Sequence, residues 1–159
     1  MVYNMIYFVS FLLWTLIIYW CHRLAHVLPV LKKFHADHHN QVSNNTYQGL
    51  NWKNVFLYFD SPKSTIDQWC TEVIPTIIFC YFTGQWWIML FYYVWAAFIQ
   101  EAIEHNSKFN YYPLLTSGRW HLIHHEDNNK NFGVFFPIWD LVFGTWKSLN
   151  DNSKRLASN

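Results

Sequence analysis

Nine histidines are spread through 159 residues in a regular pattern. His22 and His26 form H-x-x-x-H, His35, His38 and His39 form H-x-x-H-H, and His121, His124 and His125 form a second H-x-x-H-H. His105 stands alone. Histidine fills an apolar core poorly, and its specific uses are proton transfer and metal ligation. On a helix, residues three and four apart share a face, so each cluster can aim two or three ring nitrogens at one point. Neutral imidazole suits iron, zinc or copper. Eight clustered rings are too many for one ion and about right for two. A zinc protease would need H-E-x-x-H, and none of the clusters has Glu at its second position. A pH sensor would not need such even spacing. The pattern points to a dinuclear metal site without choosing between iron and zinc.

The elements that must position these rings are apolar. Hydrophobic residues make up 52% of the chain, aromatics 21% and charged residues only 13%, about half the usual charged share of a soluble domain. That balance implies a membrane. The stretch YNMIYFVSFLLWTLIIYW, residues 3–20, carries no charge, and as a helix it would reach ~27 Å, close to the ~30 Å hydrocarbon core. It lacks the positive start and small-residue cleavage site of a signal peptide, so it is expected to be a membrane helix. A second apolar region, Cys70 to Gln100, is broken at Gly84 and Gln85, and two helices at roughly 67–82 and 85–105 are expected there, as a hairpin.

Charge asymmetry agrees with this parity. No Lys or Arg precedes the first span, whereas Arg23, Lys32, Lys33, Lys53 and Lys63 come after it. The positive-inside tendency places residues 21–66 in the cytoplasm. A hairpin returns the chain to that side, so all nine histidines share one aqueous face. Net charge is +1 with no basic block, which gives no surface for nucleic acid. Cys21, Cys70 and Cys80 are isolated and form no C-x-x-C, so they are read as reduced thiols. The expected organisation is a single domain over 1–149 and a polar tail over 150–159.

With these residues in view, the chain resembles the membrane fatty acid hydroxylase and sterol desaturase superfamily. YWCHRLAHVLPVLKKFHADHHN matches that family's first two histidine boxes. RWHLIHHEDNNKNFGVFFPIWDLVFGTW matches its last box and the adjoining Asn-Phe-Gly, Trp-Asp and Phe-Gly-Thr signature. The resemblance implies an all-α integral membrane protein of about three membrane helices, one span plus a hairpin. A cytosolic helical cap would carry the histidine-rich dinuclear site. It further implies His22, His26, His35, His38, His39, His121, His124 and His125 as metal ligands, with His105 as the ninth. The cofactor would be two iron ions, with zinc an alternative occupant in purified protein and dioxygen the co-substrate.

The expected reaction is oxygen-dependent hydroxylation of a lipid carbon–hydrogen bond. A separate electron donor would serve it, a reductase, a ferredoxin or a haem carrier. Lipid desaturation and carotenoid hydroxylation are rivals within the family, and an inactive metal-binding relative is another. A metal transporter would put ligands inside its spans, and here the spans hold none. The membrane is either a bacterial inner membrane or the endoplasmic reticulum, and a homo-oligomer is compatible with either.

Relatives carry two or three histidines in a further box, where EHNSKF supplies His105 alone, with Lys108 and Phe109 in place of further rings. Trp120 also stands where several relatives have a doubled histidine. Glu101 or Glu104 would then complete one metal shell. Asp37, Glu126 and Asp127 adjoin the clusters and are candidates to orient the imidazoles. Asn131, Gly133 and Asp140 are assigned to packing and loop geometry, Gly133 to a tight turn. Pro29 lies between the first two clusters, where a bend would turn both toward one centre. The aromatics from Trp86 to Trp95 are assigned to helix packing and an interfacial belt ahead of an acyl-chain groove.

Overall fold

Helix α1 runs from Val2 to Val27, and its buried stripe sets the direction of its histidines. Trp14 and Ile18 are fully buried while Met5, Phe8, Leu13 and Ile17 face outward. Steps of four carry the buried stripe from Trp14 and Ile18 to His22 and His26, so the packing face of the helix becomes its histidine face. The computed structural model describes residues 2–109 and 115–148. The expected polar tail from residue 150 lies outside these residues.

Proline ends α1. Leu28, just before Pro29, is extended (φ −74°, ψ 120°), as the residue preceding a proline prefers. Pro29 then opens α2, Pro29–Ser43, at a position where its missing N–H costs nothing. The helix axis breaks between the first two histidine clusters, as expected of Pro29. After α2 comes a polar stretch. It contains a short 3-10 helix, Trp52–Phe56, closed by a capping box in which Asn51 and Asn54 each accept from the other's end of the turn.

Two further helices form the expected hairpin. Helix α3 comprises Pro62–Gln68, a π-helical turn Trp69–Val73 and Ile74–Thr83. It begins five residues earlier than the apolar pattern suggested. The reason is local: Ser61 Oγ accepts from Ser64 N at 3.1 Å and Pro62 fills the first turn, a strong start signal. Pro75 does not end the helix. The chain accommodates it through the π turn just before it, where Thr71 Oγ1 donates to the Asp67 carbonyl at 2.8 Å. Gly84, at φ 71°, closes α3. Helix α4 comprises Trp86–Val94, a π-helical turn Trp95–Gln100 and Glu101–Ile103.

An aromatic seam joins α1 to the hairpin. Trp14 Nε1 donates to Thr76 Oγ1 at 2.9 Å, and its ring meets Phe91 and Tyr92 edge-on at centroid distances of 6.0 and 6.3 Å. Phe11 adds Phe91 and Trp87 at 5.3 and 5.9 Å. Such edge and offset contacts add ~0.5–1.5 kcal/mol per pair beyond burial. The 86–95 aromatics are therefore helix packing on one side. On the other, Trp86 and Leu90 face outward. Asn4–Val27 and Trp86–Ile103 are the two helices, among the described residues, long and apolar enough to cross a membrane, with mean hydropathies of 1.7 and 1.2.

The chain divides into two compact units, Met1–Ala102 and Ile103–Asn159. The second contains α5, Arg119–Glu126, and α6, Ile138–Val142. Its centre is polar. Asp140, wholly buried, accepts from Phe132 N, Gly133 N and Thr145 Oγ1 at 2.8, 2.8 and 2.7 Å. Asn131, in the left-handed region at φ 53°, donates to the carbonyls of Trp120 and Lys147 and accepts from Lys147 N. A Cβ on Gly133 would lie 2.5 Å from the Phe136 carbonyl oxygen and 2.8 Å from Asp140 Oδ2. Gly133 thus serves close approach rather than the tight turn expected of it. The described residues contain helices and turns and no strand.

Candidate metal centre

Each unit holds its own group of convergent imidazoles. In the first, α1 supplies His22 and His26 and α2 supplies His35, His38 and His39. His26 and His35 place their Nε2 atoms 2.9 Å apart, and those of His39 and His35 are 3.1 Å apart. One ring nitrogen from each of His22, His26 and His35 lies within 4.8 Å of the others. The His38 and His39 ring centroids are 5.9 Å apart, and that of His38 is 6.0 Å from His35. Burial, and then the surrounding imidazoles, hold His35 well below the ordinary histidine range. Burial and His22 bring His39 down to about 3. Both rings are therefore neutral at physiological pH, the form that ligates a metal.

In the second unit, His121 and His125 stand one turn apart on α5 and meet His105. The His105–His125 and His125–His121 Nε2 pairs are each 3.0 Å apart. Glu104 Oε1 lies 3.6 Å from His121 Nε2. A glycine makes this possible. Gly118, at φ 76°, precedes α5, and a Cβ there would fall 2.3 Å from the Phe109 carbonyl oxygen. Its N–H donates to the Glu104 carbonyl at 2.9 Å, and Arg119 N donates to that of Phe109 at 3.1 Å. The start of α5 is thereby laced to the segment that carries Glu104 and His105. His124 is fully buried, and its Nδ1 sits 2.8 Å from the Lys130 carbonyl oxygen. A carbonyl only accepts, so Nδ1 bears the proton and Nε2 keeps its lone pair.

The spacing of these nitrogens fits metal ligation. Two nitrogens ~2.1 Å from one ion stand about 3.0 Å apart at right angles and about 3.4 Å apart at the tetrahedral angle. The four Nε2 pairs, at 2.9–3.1 Å, match the right-angled arrangement. The donor set of neutral imidazoles also fits iron.

The carboxylates divide. Asp37, adjacent to His38, turns away and accepts from Ser61 Oγ at 2.8 Å, with Gln41 and Lys63 at 3.3 and 3.4 Å. Asp127 pairs with Lys147 Nζ at 2.9 Å, which holds its carboxyl below the usual range. Glu126 is exposed. Glu101 is buried and accepts from Tyr47 OH at 2.6 Å. Trp120 packs on Trp146 at a centroid distance of 4.9 Å, and Lys108 is exposed.

Sequence reasoning missed Asp67. Its Oδ2 lies 2.8 Å from His35 Nδ1, with both side chains buried. The available signal was its charge at the edge of an apolar region, since a buried acid is rare unless it is paired. Gly118 was missed as well. Nothing in a lone glycine distinguishes close approach from an ordinary turn.

The family model for fatty acid hydroxylase matches residues 7–145. Among curated proteins, the chain is 25% identical over 147 residues to a Delta(7)-sterol 5(6)-desaturase of Aspergillus fumigatus, covering 87% of this chain and 39% of that one. It is 29% identical to the Delta(7)-sterol-C5(6)-desaturase of Nicotiana tabacum, over 87% of this chain and 49% of that one. It is 26% identical to human alkylglycerol monooxygenase, over 84% of this chain and 28% of that one. The chain thus spans less than half the length of these relatives. No solved structure matches it significantly. On the family match across both histidine groups and the helices between them, the chain belongs to the fatty acid hydroxylase family.

Proposed function

We propose that this chain is the metal-binding core of a membrane enzyme that hydroxylates a lipid at a carbon–hydrogen bond, using dioxygen and a pair of iron ions. The observation that carries the reading is the presence of two groups of convergent imidazoles with ligand spacing in a chain of this family. The ligands are His22, His26, His35, His38, His39, His105, His121, His124 and His125. When bound, the iron pair supplies the activation of dioxygen that no side chain here could perform. The protein supplies geometry and shielding. α1 and α2 hold one group through the break at Pro29, and α5 holds the other through Gly118. The Lys130 carbonyl fixes the tautomer of His124. Glu104, 3.6 Å from His121, completes the shell that EHNSKF leaves short.

The substrate is an apolar lipid reached from the bilayer. The chain would cross it as one span, α1, plus the α3–α4 hairpin, with the cap and metal site on the cytosolic side. Relatives from fungi, a plant and a mammal favour the endoplasmic reticulum. A separate protein delivers electrons. Desaturation is the second reading, favoured by the sterol desaturases among the matched relatives.

The test is metal analysis of detergent-purified protein loaded anaerobically with ferrous iron, combined with mass spectrometry of lipid products. About two irons per chain, lost in His38→Ala and His124→Ala together with the product, is the expected result. An added oxygen marks hydroxylation and two lost hydrogens mark desaturation. Full activity in both variants would remove the assignment.

A further inference from the structure

We infer that Asp67 is a positioning residue for the metal centre, acting through His35: its carboxylate holds the Nδ1 proton of His35 so that Nε2 presents its lone pair to the ion. The inference rests on the proposed ligand role of His35 and adds a residue from a third helix. Three observations carry it.

Asp67 Oδ2 and His35 Nδ1 are 2.8 Å apart, a full hydrogen bond between side chains that are 8% and 7% exposed. His35 Nε2, on the opposite edge of the ring, is the atom closest to the neighbouring ligand nitrogens, 2.9 Å from His26 and 3.1 Å from His39. The ring therefore stands between a carboxylate and the point where the other nitrogens converge. Carboxylate–imidazole–metal alignment of this kind fixes the tautomer and ring angle and raises ligand basicity.

The third observation concerns cost. Asp67 Oδ1 is buried, and among the described residues no donor reaches it. A buried carboxylate oxygen without a partner is expensive, and a group kept only for helix docking would be better served by a neutral side chain. The contact between α2 and α3 has a neutral link already: Ser64 Oγ donates to Gln41 Oε1 at 3.0 Å. A cation bonded to the far side of His35 would supply the compensating charge that Asp67 otherwise lacks.

The experiment measures ferrous-ion affinity of the full chain in detergent, by competition with a chelator, alongside thermal unfolding of the metal-free protein. Asp67→Asn keeps the shape and removes the charge. It should weaken one of the two iron equivalents by 10–100-fold while the metal-free protein melts no lower than the unaltered chain. Asp67→Glu should recover affinity to within several-fold. Ser64→Ala removes a neutral α2–α3 link and should leave iron binding unchanged. Unaltered affinity in Asp67→Asn would overturn the inference and leave the metal reading standing. A metal-free Asp67→Asn that melts well below the unaltered chain, or Ser64→Ala weakening iron equally, would show a structural role and overturn it too. If the unaltered chain binds no iron, the ligand assignment falls first and the role of Asp67 falls with it.

Discussion

Asp140 shows what a buried carboxylate does when it is not beside the histidines. Three donors, Phe132 N, Gly133 N and Thr145 Oγ1, converge on its two oxygens, and its backbone carbonyl accepts from Thr145 N and Trp146 N. It ties the loop after α5 to the start of α6. Asp140→Ala would strand three buried donors, at a cost of roughly 3 kcal/mol. Melting, monitored by circular dichroism, should fall by about 10 °C, and Asp140→Asn should fall by less because it keeps one acceptor. The contrast with the acids near the histidines shows what a sequence can say at this scale. Asp37 adjoins His38, yet neighbours on a helix point about 100° apart, and Asp37 turns to Ser61 and Lys63. Asp67, which does meet a histidine, lies 32 residues from His35. Histidine clusters are legible because one helix makes them. The carboxylate behind a histidine comes from a different helix, and adjacency in sequence carries no information about it.

The elements were legible to the extent that their causes are local. The uncharged run became α1, Pro29 became a break, and Gly84 became the hairpin turn. The π turns at Trp69–Val73 and Trp95–Gln100 were not, because they arise from fitting Pro75 and the helix contacts rather than from any residue pattern. Both bring polar groups together inside the hairpin, where Gln100 Nε2 meets Glu72 Oε1 at 3.3 Å. Gly118 belongs to this scale too. Its left-handed φ and the 2.3 Å approach of a backbone oxygen leave no cheap relaxation for a side chain. Gly118→Ala should push α5 off the segment carrying His105, separating His105 from His121 and His125. Iron content should drop by about one equivalent per chain, measured by elemental analysis. Gly144→Ala is the comparison. It shares a positive φ, at 67°, but no described residue lies within 4 Å of an added Cβ, so it should cost about 1 kcal/mol of strain and keep both irons.

At the scale of the whole chain, the two histidine groups can serve one centre only if they face the same side of the membrane, and the hairpin decides that. Helix α4, at 18 residues for the segment Trp86–Ile103, reaches ~27 Å, nearly the ~30 Å of the hydrocarbon core. Helix α3 is at least as long, but Asp67, Gln68 and Glu72 occupy its first half. The hairpin should therefore cross, with the acids near the histidine side and Gly84 at the far surface. Single cysteines at Asn45, Thr83 and Asn128 in a background with Cys21, Cys70 and Cys80 changed to Ser, probed with a membrane-impermeant maleimide in sealed vesicles, read this directly. Asn45→Cys and Asn128→Cys should label from one side and Thr83→Cys from the other. Failure of Thr83→Cys to label from either side would mean a hairpin that enters and returns, which preserves the centre. Labelling of Asn128→Cys from the side opposite Asn45→Cys would put the two histidine groups across the bilayer from each other. No shared pair of ions could then exist, whatever the local spacing of the rings.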